Sequence, residues 1–354
     1  MTNKAAVTTI AAALAVGGAA AHAADAPVQP PAPLGVFGVD MPAQGKLVLG
    51  YAPSLTRVQG IKIDTDWVQP AYIVTHVPSP YTPVGNHLLR MVPESLTTTS
   101  QSFSLAYGLT PNLAVTASTA LVEKDVDMTA FKGLSGVTRL GAKVGSTNGL
   151  GDTSLAAVVR LHSEGGEQVK ANFGLSLPTG STTDTISLLL PNGTSPFKRG
   201  FYAMQPGTGT VDALPGLTYS NVDGAWSWGA GYRGRIPLDT NARGWRYGNL
   251  HEFNVWGGYS WVPGVETTLR LNASTQGAIQ GHDPGITGYA QGANPAFYGG
   301  RQLSLFAGAI VAGSHFGAPH VQLGIEAGVP LYQDLNGPQL ARDWQLNFAL
   351  RYKL

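Results

Sequence analysis

From Gly45 onward the apolar residues recur at every second position rather than every 3.6, the pattern of extended strands with two unlike faces. In Gln168–Pro178, Val169, Ala171, Phe173, Leu175 and Leu177 alternate with Lys170, Asn172, Gly174 and Ser176. The same order returns in Val265–Ala273, where Leu269 and Leu271 oppose Arg270 and Asn272, and at the end of the chain, where Trp344, Leu346, Phe348, Leu350 and Tyr352 oppose Gln345, Asn347, Ala349, Arg351 and Lys353. About twelve such segments are read, each near the ~9–11 residues of a tilted membrane-spanning strand. They begin near Lys46, Thr97, Leu113, Gly151, Gln168, Val211, Ala225, Asn249, Val265, Arg301, Val321 and Asp343. Tight turns rich in Gly, Pro, Asn and Asp are expected at Leu109–Asn112, Ser163–Glu167, Val222–Gly224, Val262–Gly264 and His315–His320. Longer loops are expected at Arg57–Leu96, Lys124–Leu150, Thr179–Thr210, Pro237–Gly248, Gln276–Gly300 and Leu331–Arg342. Short and long connections alternate, as in a transmembrane antiparallel β-barrel with short periplasmic turns and long outer loops.

A soluble β-sandwich would also show short alternating strands, and composition separates the two. Charged residues make up 12% of the chain, half the usual ~25% and too few to cover a water-facing surface together with six long loops. Glycine supplies 46 of 354 residues, nearly twice the usual ~7%, which suits a tilted, curved sheet. Aromatic residues fall at strand ends: Tyr107, Tyr219, Trp226, Tyr259, Trp261 and Tyr352 at the periplasmic side, Tyr232, Phe253 and Trp344 at the outer side. Two such girdles mark the two membrane interfaces. The fold class expected is therefore all-β, an outer-membrane barrel of about twelve strands.

Ahead of the barrel, Lys4, the apolar Ala5–Ala21 stretch and Ala21-His22-Ala23 read as an export signal with an A-x-A cleavage site. The expected division is a signal peptide over 1–23, a Pro-rich periplasmic segment over 24–45, and the barrel over 46–354, in the bacterial outer membrane. Expected partners are outer-membrane lipid, the outer-membrane assembly machinery and a small-molecule solute. A formal net charge of +1 gives no reason to expect nucleic acid, and zero cysteines exclude disulfides, thiolate metal sites and a cysteine nucleophile.

No covalent chemistry is legible. Gly229-Ala230-Gly231-Tyr232-Arg233-Gly234 matches G-x-G-x-x-G but sits inside a strand, without the helix that would receive a phosphate. His87, His251, His282, His315 and His320 lack metal-ligand spacing, and no G-x-S-x-G is present. No cofactor, metal or catalytic residue is expected. The inward positions are more informative: Arg160, Lys170, Arg233, Arg235, Glu252, Arg270, Glu326 and Arg351 are the candidate lumen-lining residues, with Asp152, His162, Asn172, Glu266, Gln322 and Lys353 on the same rows. Arg233, Arg235 and Glu252 are expected to meet near the outer mouth, either as a cross-strand ion pair or as a selective polar constriction. Passive passage of a small solute is the function this pattern favours. A structural or adhesive barrel acting through its long loops, and an envelope lipase, are the alternatives.

Gly149-Leu150-Gly151-Asp152-Thr153-Ser154-Leu155, Leu175-Ser176-Leu177-Pro178-Thr179-Gly180-Ser181, Pro215-Gly216-Leu217-Thr218-Tyr219-Ser220 and Pro330 to Leu340 resemble the outer-membrane barrel family associated with phenol meta-pathway degradation. The resemblance covers the chain from about residue 149 onward. It implies an outer-membrane channel for aromatic or other hydrophobic small molecules, and carries over no substrate-binding residue.

Overall fold

The computed structural model describes residues 32–38, 41–83, 85 and 87–354; the expected signal peptide lies outside them. The wall is built from β1 (Leu47–Asp64), β2 (Met91–Thr110), β3 (Leu113–Phe131), β4 (Arg139–Leu150), β5 (Thr153–Glu164), β6 (Glu167–Leu177), β7 (Asp212–Asp223), β8 (Trp226–Pro237), β9 (Leu250–Val262), β10 (Val265–Gln276), β11 (Gly300–Ala312) and β12 (Val321–Lys353). Neighbours pair antiparallel, and β12 closes the sheet on β1. β4 and β5 run in line, both against β3, as one crossing. β12 is antiparallel to β11 through Gln322–Leu335 and to β1 through Leu335–Lys353, so it doubles back at Asn336-Gly337 and crosses twice. The chain thus crosses the wall twelve times. Closure leaves no strand edge for hydrocarbon to leave unpaired.

The two faces of the wall differ as the alternation requires. Phe173, Val255 and Leu269 are 65%, 60% and 59% exposed, whereas Asn172, Asn254 and Arg270, one residue away on each strand, are buried. Trp226, Tyr259 and Trp261 form an edge-to-face row at the inner rim with centroids 4.8 and 4.9 Å apart, where an indole or phenol can hold its ring in hydrocarbon and its polar tip in water. No helix among the described residues is long and apolar enough to cross a membrane.

Two of the expected loops are strands. Lys124–Leu150 continues the wall as a hairpin, β3 pairing β4 from Leu121↔Leu150 to Phe131↔Arg139. Leu331–Arg342 is the turn region of β12. In the first, Val126, Met128 and Ala130 are buried while Glu123 is exposed, so the apolar face has switched to the inside. Beyond the rim water lies outside and other loops lie inside, which inverts the polarity of the alternation without changing its period.

Those other loops close the outer mouth. Ile186, Leu188, Phe201, Tyr202 and Met204 from the 178–211 connection pack with Trp245, Ile279, Ile286 and Ala290 against Met91, Val126 and Met128 of the wall. A second cluster joins Ile73 and Val74 of the short helix α1 (Pro70–His76) to Ile61, Leu89, Val92 and Phe131. The buried Arg90 guanidinium donates to the carbonyl oxygens of Val74, Lys132, Gly133, Ser135 and Gly136, tying the hairpin tip to this cap. Five acceptors for five N–H donors leave the buried cation fully satisfied.

Candidate functional site

The lumen is occupied at two levels. Just beneath the cap, Asp152 accepts from Gly180 N at 3.1 Å and from Thr208 N and Oγ1 at 3.0 and 2.8 Å, so it holds both ends of the 178–211 connection. Arg235 bridges Asp152 and the buried Asp212. Lys124, on the projecting half of the β3–β4 hairpin, donates from Nζ to the carbonyls of Ala203 and Gln205 at 2.8 and 2.6 Å. Burial lowers its pKa from the usual lysine range to about 8, against the raising effect of Asp152 and Asp184. In the cap core the Tyr202 hydroxyl is pushed up to about 12, chiefly by burial, and burial likewise raises Tyr247 and Tyr298. These phenols stay neutral.

Lower down, residues 32–38 cross the inside of the barrel. Ala32 and Val36 bury against Trp256, the Phe37 carbonyl accepts from Thr218 Oγ1 at 3.2 Å, and Gly35 rests on Arg270 so closely that a Cβ there would meet Nη2 at 2.2 Å. Arg270 forms a bidentate pair with Glu326, Nε to Oε1 at 3.0 Å and Nη2 to Oε2 at 2.7 Å, and donates Nη1 to Asn254 at 2.8 Å. Asn347 adds a bond to Glu326, and the Phe306 ring lies 3.9 Å from the guanidinium carbon. Room for the two inward aromatics comes from glycines opposite them: a Cβ at Gly229 would meet Trp256 at 2.3 Å and one at Gly328 would meet Phe306 at 2.2 Å.

The expected lining residues separate into three settings. Arg233 and Glu252, direct register partners, form an ion pair with Nε–Oε2 at 2.8 Å and remain partly open between the cap and the segment below. Arg235, expected beside Glu252, instead joins Asp152 and Asp212, because its strand carries it one row higher, under the cap. Arg270 and Glu326 are buried beneath residues 32–38, and that part of the expected periplasmic segment therefore sits within the barrel. Arg160 and Lys170 are register partners toward the inner rim, Lys170 fully buried and Arg160 with its Nε unsatisfied, and Arg351 donates to Gln322 at 3.3 Å. His162 departs from the expected row: Leu161 is an extra residue between Arg160↔Lys170 and His162↔Val169, so His162 shares the row of the outward Val169 and is exposed. Sequence reading missed Trp256, Phe306, Asp212 and Gly35. The first two were hidden because a lumen filled with polar side chains gives no reason to expect large rings inside.

No protein-family model matches the chain, and no curated protein does. Among solved structures, an outer-membrane channel from Pseudomonas putida F1 superposes with a TM-score of 0.55 at 16% identity, over 89% of this chain and 98% of that one. The chain has an outer-membrane β-barrel fold. The β-domain of the Bordetella autotransporter BrkA (TM-score 0.45, 12% identity, 87% and 99% covered) and the Ralstonia pickettii toluene transporter TbuX (0.41, 12%, 88% and 89%) are also similar, at a level that adds nothing to this argument. Among the described residues no cluster of three or more His, Asp or Glu side chains could hold a metal ion.

Proposed function

We propose that this barrel conducts small hydrophobic solutes, aromatic compounds among them, across the outer membrane by passive passage. The observation that carries the reading is the composition of the outer closure. The mouth is sealed by a core of Met91, Met128, Met204, Ile186, Tyr202 and Trp245 rather than left as a charged aqueous vestibule. Flexible thioethers and aromatic rings offer an apolar solute an adaptable way in, whereas a hydrated ion would have to shed its water there. The polar Arg233–Glu252 level beneath is then a transit chamber. The Pseudomonas putida neighbour, itself an outer-membrane channel, supports the reading at the level of fold.

The test is flux through the full-length protein in liposomes, with planar-bilayer recording alongside. Wild type is expected to pass a radiolabelled monoaromatic hydrocarbon while showing low ion conductance. Absence of both hydrocarbon flux and conductance, in wild type and in a variant lacking residues 185–199, would remove the channel reading.

A further inference from the structure

Strand pairing sets one row of lumen-facing side chains immediately beneath the cap. On one side of the barrel Arg233 lies opposite Glu252, Glu252 opposite Ser274, Ser274 opposite Gln302, and Gln302 opposite Gln333. Gln333 joins the returning limb of β12 through its carboxamide, Nε2 donating to Arg342 O at 3.0 Å and Oε1 accepting from Arg342 N at 2.7 Å. Beyond Arg342 the row turns apolar: Val58 pairs with Arg342, Leu96 with Val58, and Val126 with Leu96. Val126 is buried in the cap core and Leu96 packs against that core, so this face of the row is the inner one. Arg342 therefore stands where a polar arc of the inner wall meets an apolar arc.

The charges on this row are unbalanced. The half-buried Arg342 guanidinium makes no hydrogen bond or ion pair among the described residues. The charges whose fields reach it are Glu252 and Arg270, both carried by strands across the chamber, so the guanidinium extends over the lumen rather than along its own strand. Each of them is already committed, Glu252 to Arg233 and Arg270 to Glu326. Arg235, one row higher, is likewise held between Asp152 and Asp212. Two guanidinium groups against one carboxylate leave this row with one net positive charge, placed beside the aliphatic side chains of Val58 and Leu96. A cation withdrawn from bulk water without a partner is costly until a ligand supplies one.

We propose that the chamber beneath the cap binds a small apolar monocarboxylate, its carboxylate held by Arg342 and its apolar body lying over Val58 and Leu96 under the cap core. A planar guanidinium matches a carboxylate in bidentate fashion, and the neighbouring apolar arc discriminates against a fully hydrated anion, which would leave that surface uncovered. Benzoate is such a molecule, with one charged end and one apolar ring. The proposal rests on the reading of the barrel as a conduit for hydrophobic solutes and deepens it by naming an acidic class among them.

The experiment is calorimetric titration of the full-length protein in phosphatidylcholine nanodiscs with benzoate, benzyl alcohol, benzylamine and inorganic phosphate, against empty nanodiscs as the blank. Benzoate is expected to bind saturably at one site, at least tenfold more tightly than benzyl alcohol, benzylamine or phosphate. Arg342→Gln should weaken benzoate by about fivefold or more and leave benzyl alcohol unchanged. Val58→Asp, which keeps the guanidinium but sets a carboxylate opposite it in register, should block benzoate and serves as the test should Arg342→Gln not assemble. Leu331→Trp, on the lipid face of the same strand, should leave the affinity as it was. Equal binding of benzoate and benzyl alcohol, tighter binding of benzylamine or phosphate, or no binding at all overturns the site. So does an unchanged benzoate affinity in assembled Arg342→Gln or Val58→Asp protein, or its loss in assembled Leu331→Trp. Hydrocarbon flux is read separately: flux without benzoate binding sinks the site alone, and binding without flux sinks the conduit reading alone.

Discussion

Arg270 joins residues that are far apart in sequence: Glu326 and Asn254 from the wall, Phe306 beside it, and Gly35 from the segment ahead of the barrel. Its side chain and that of Glu326 are 4% and 1% exposed, so loss of either partner strands a buried charge. Glu326→Gln is expected to cost roughly 3–5 kcal/mol, read as a shift in urea unfolding of the vesicle-reconstituted protein, whereas a volume-matched apolar pair at both positions should cost much less. Lys124 sets a pH dependence. Its pKa in the folded protein is about 8 against 10.5 for an unburied lysine, so below pH 8 both states are protonated and the fold carries the full cost of a buried cation. Between pH 8 and 10.5 only the unfolded state stays protonated, and stability rises with pH. A local opening that frees Lys124 from the 203–205 backbone lets it regain a proton, so that opening should become less favourable from pH 8 to 10, a range in which Tyr202 is still neutral. Hydrogen exchange of Gln205, corrected for its intrinsic pH dependence, should show protection growing over that window in wild type and flat in Lys124→Met. Equal slopes in the two would refute the assignment.

The elements are where reading by pattern both succeeded and failed. The five tight turns fall where Gly, Pro, Asn and Asp cluster: Gly165 and Gly166 in one, Gly224 and Gly264 in others, each at positive φ. Such turns are specified locally, by residues that tolerate the left-handed region. The β3–β4 hairpin reads as a loop in the sequence for an equally physical reason. Its Glu123, Asp125 and Asp127 look like loop charges, but they alternate with Val122, Val126 and Met128 in period two, with the apolar set turned inward toward the cap. Residues 32–38 form a second element that periodicity could not place, since seven residues of coil carry no repeat to read. Because Gly35 has no room for a side chain against Arg270, Gly35→Leu is expected to displace this segment and raise single-channel conductance several-fold with the wall intact. Unchanged conductance would mean that the segment does not limit the passage.

At the scale of the molecule, twelve crossings place the first and last wall strands side by side, Val48 against Lys353, with both ends at the inner rim. A barrel of this size lies between the ~8 strands whose interior side chains can fill and the ~16 that leave a wide aqueous pore. Its interior is therefore partly filled, here by side-chain ion pairs, by a strap of backbone from ahead of the barrel and by a cap of outer loops. The sequence by itself determined the period, most of the strand starts, the tight turns and, within the membrane-spanning stretches, the identity of the wall's two faces, because alternation and turn chemistry are properties of a few consecutive residues. Only the tertiary structure decided which medium each face meets, which charges pair and what occupies the lumen. One strand can leave hydrocarbon for water part-way along its length, and the groups that hold Arg235, Arg270 and Lys124 arrive from strands and loops that the local pattern does not connect to them.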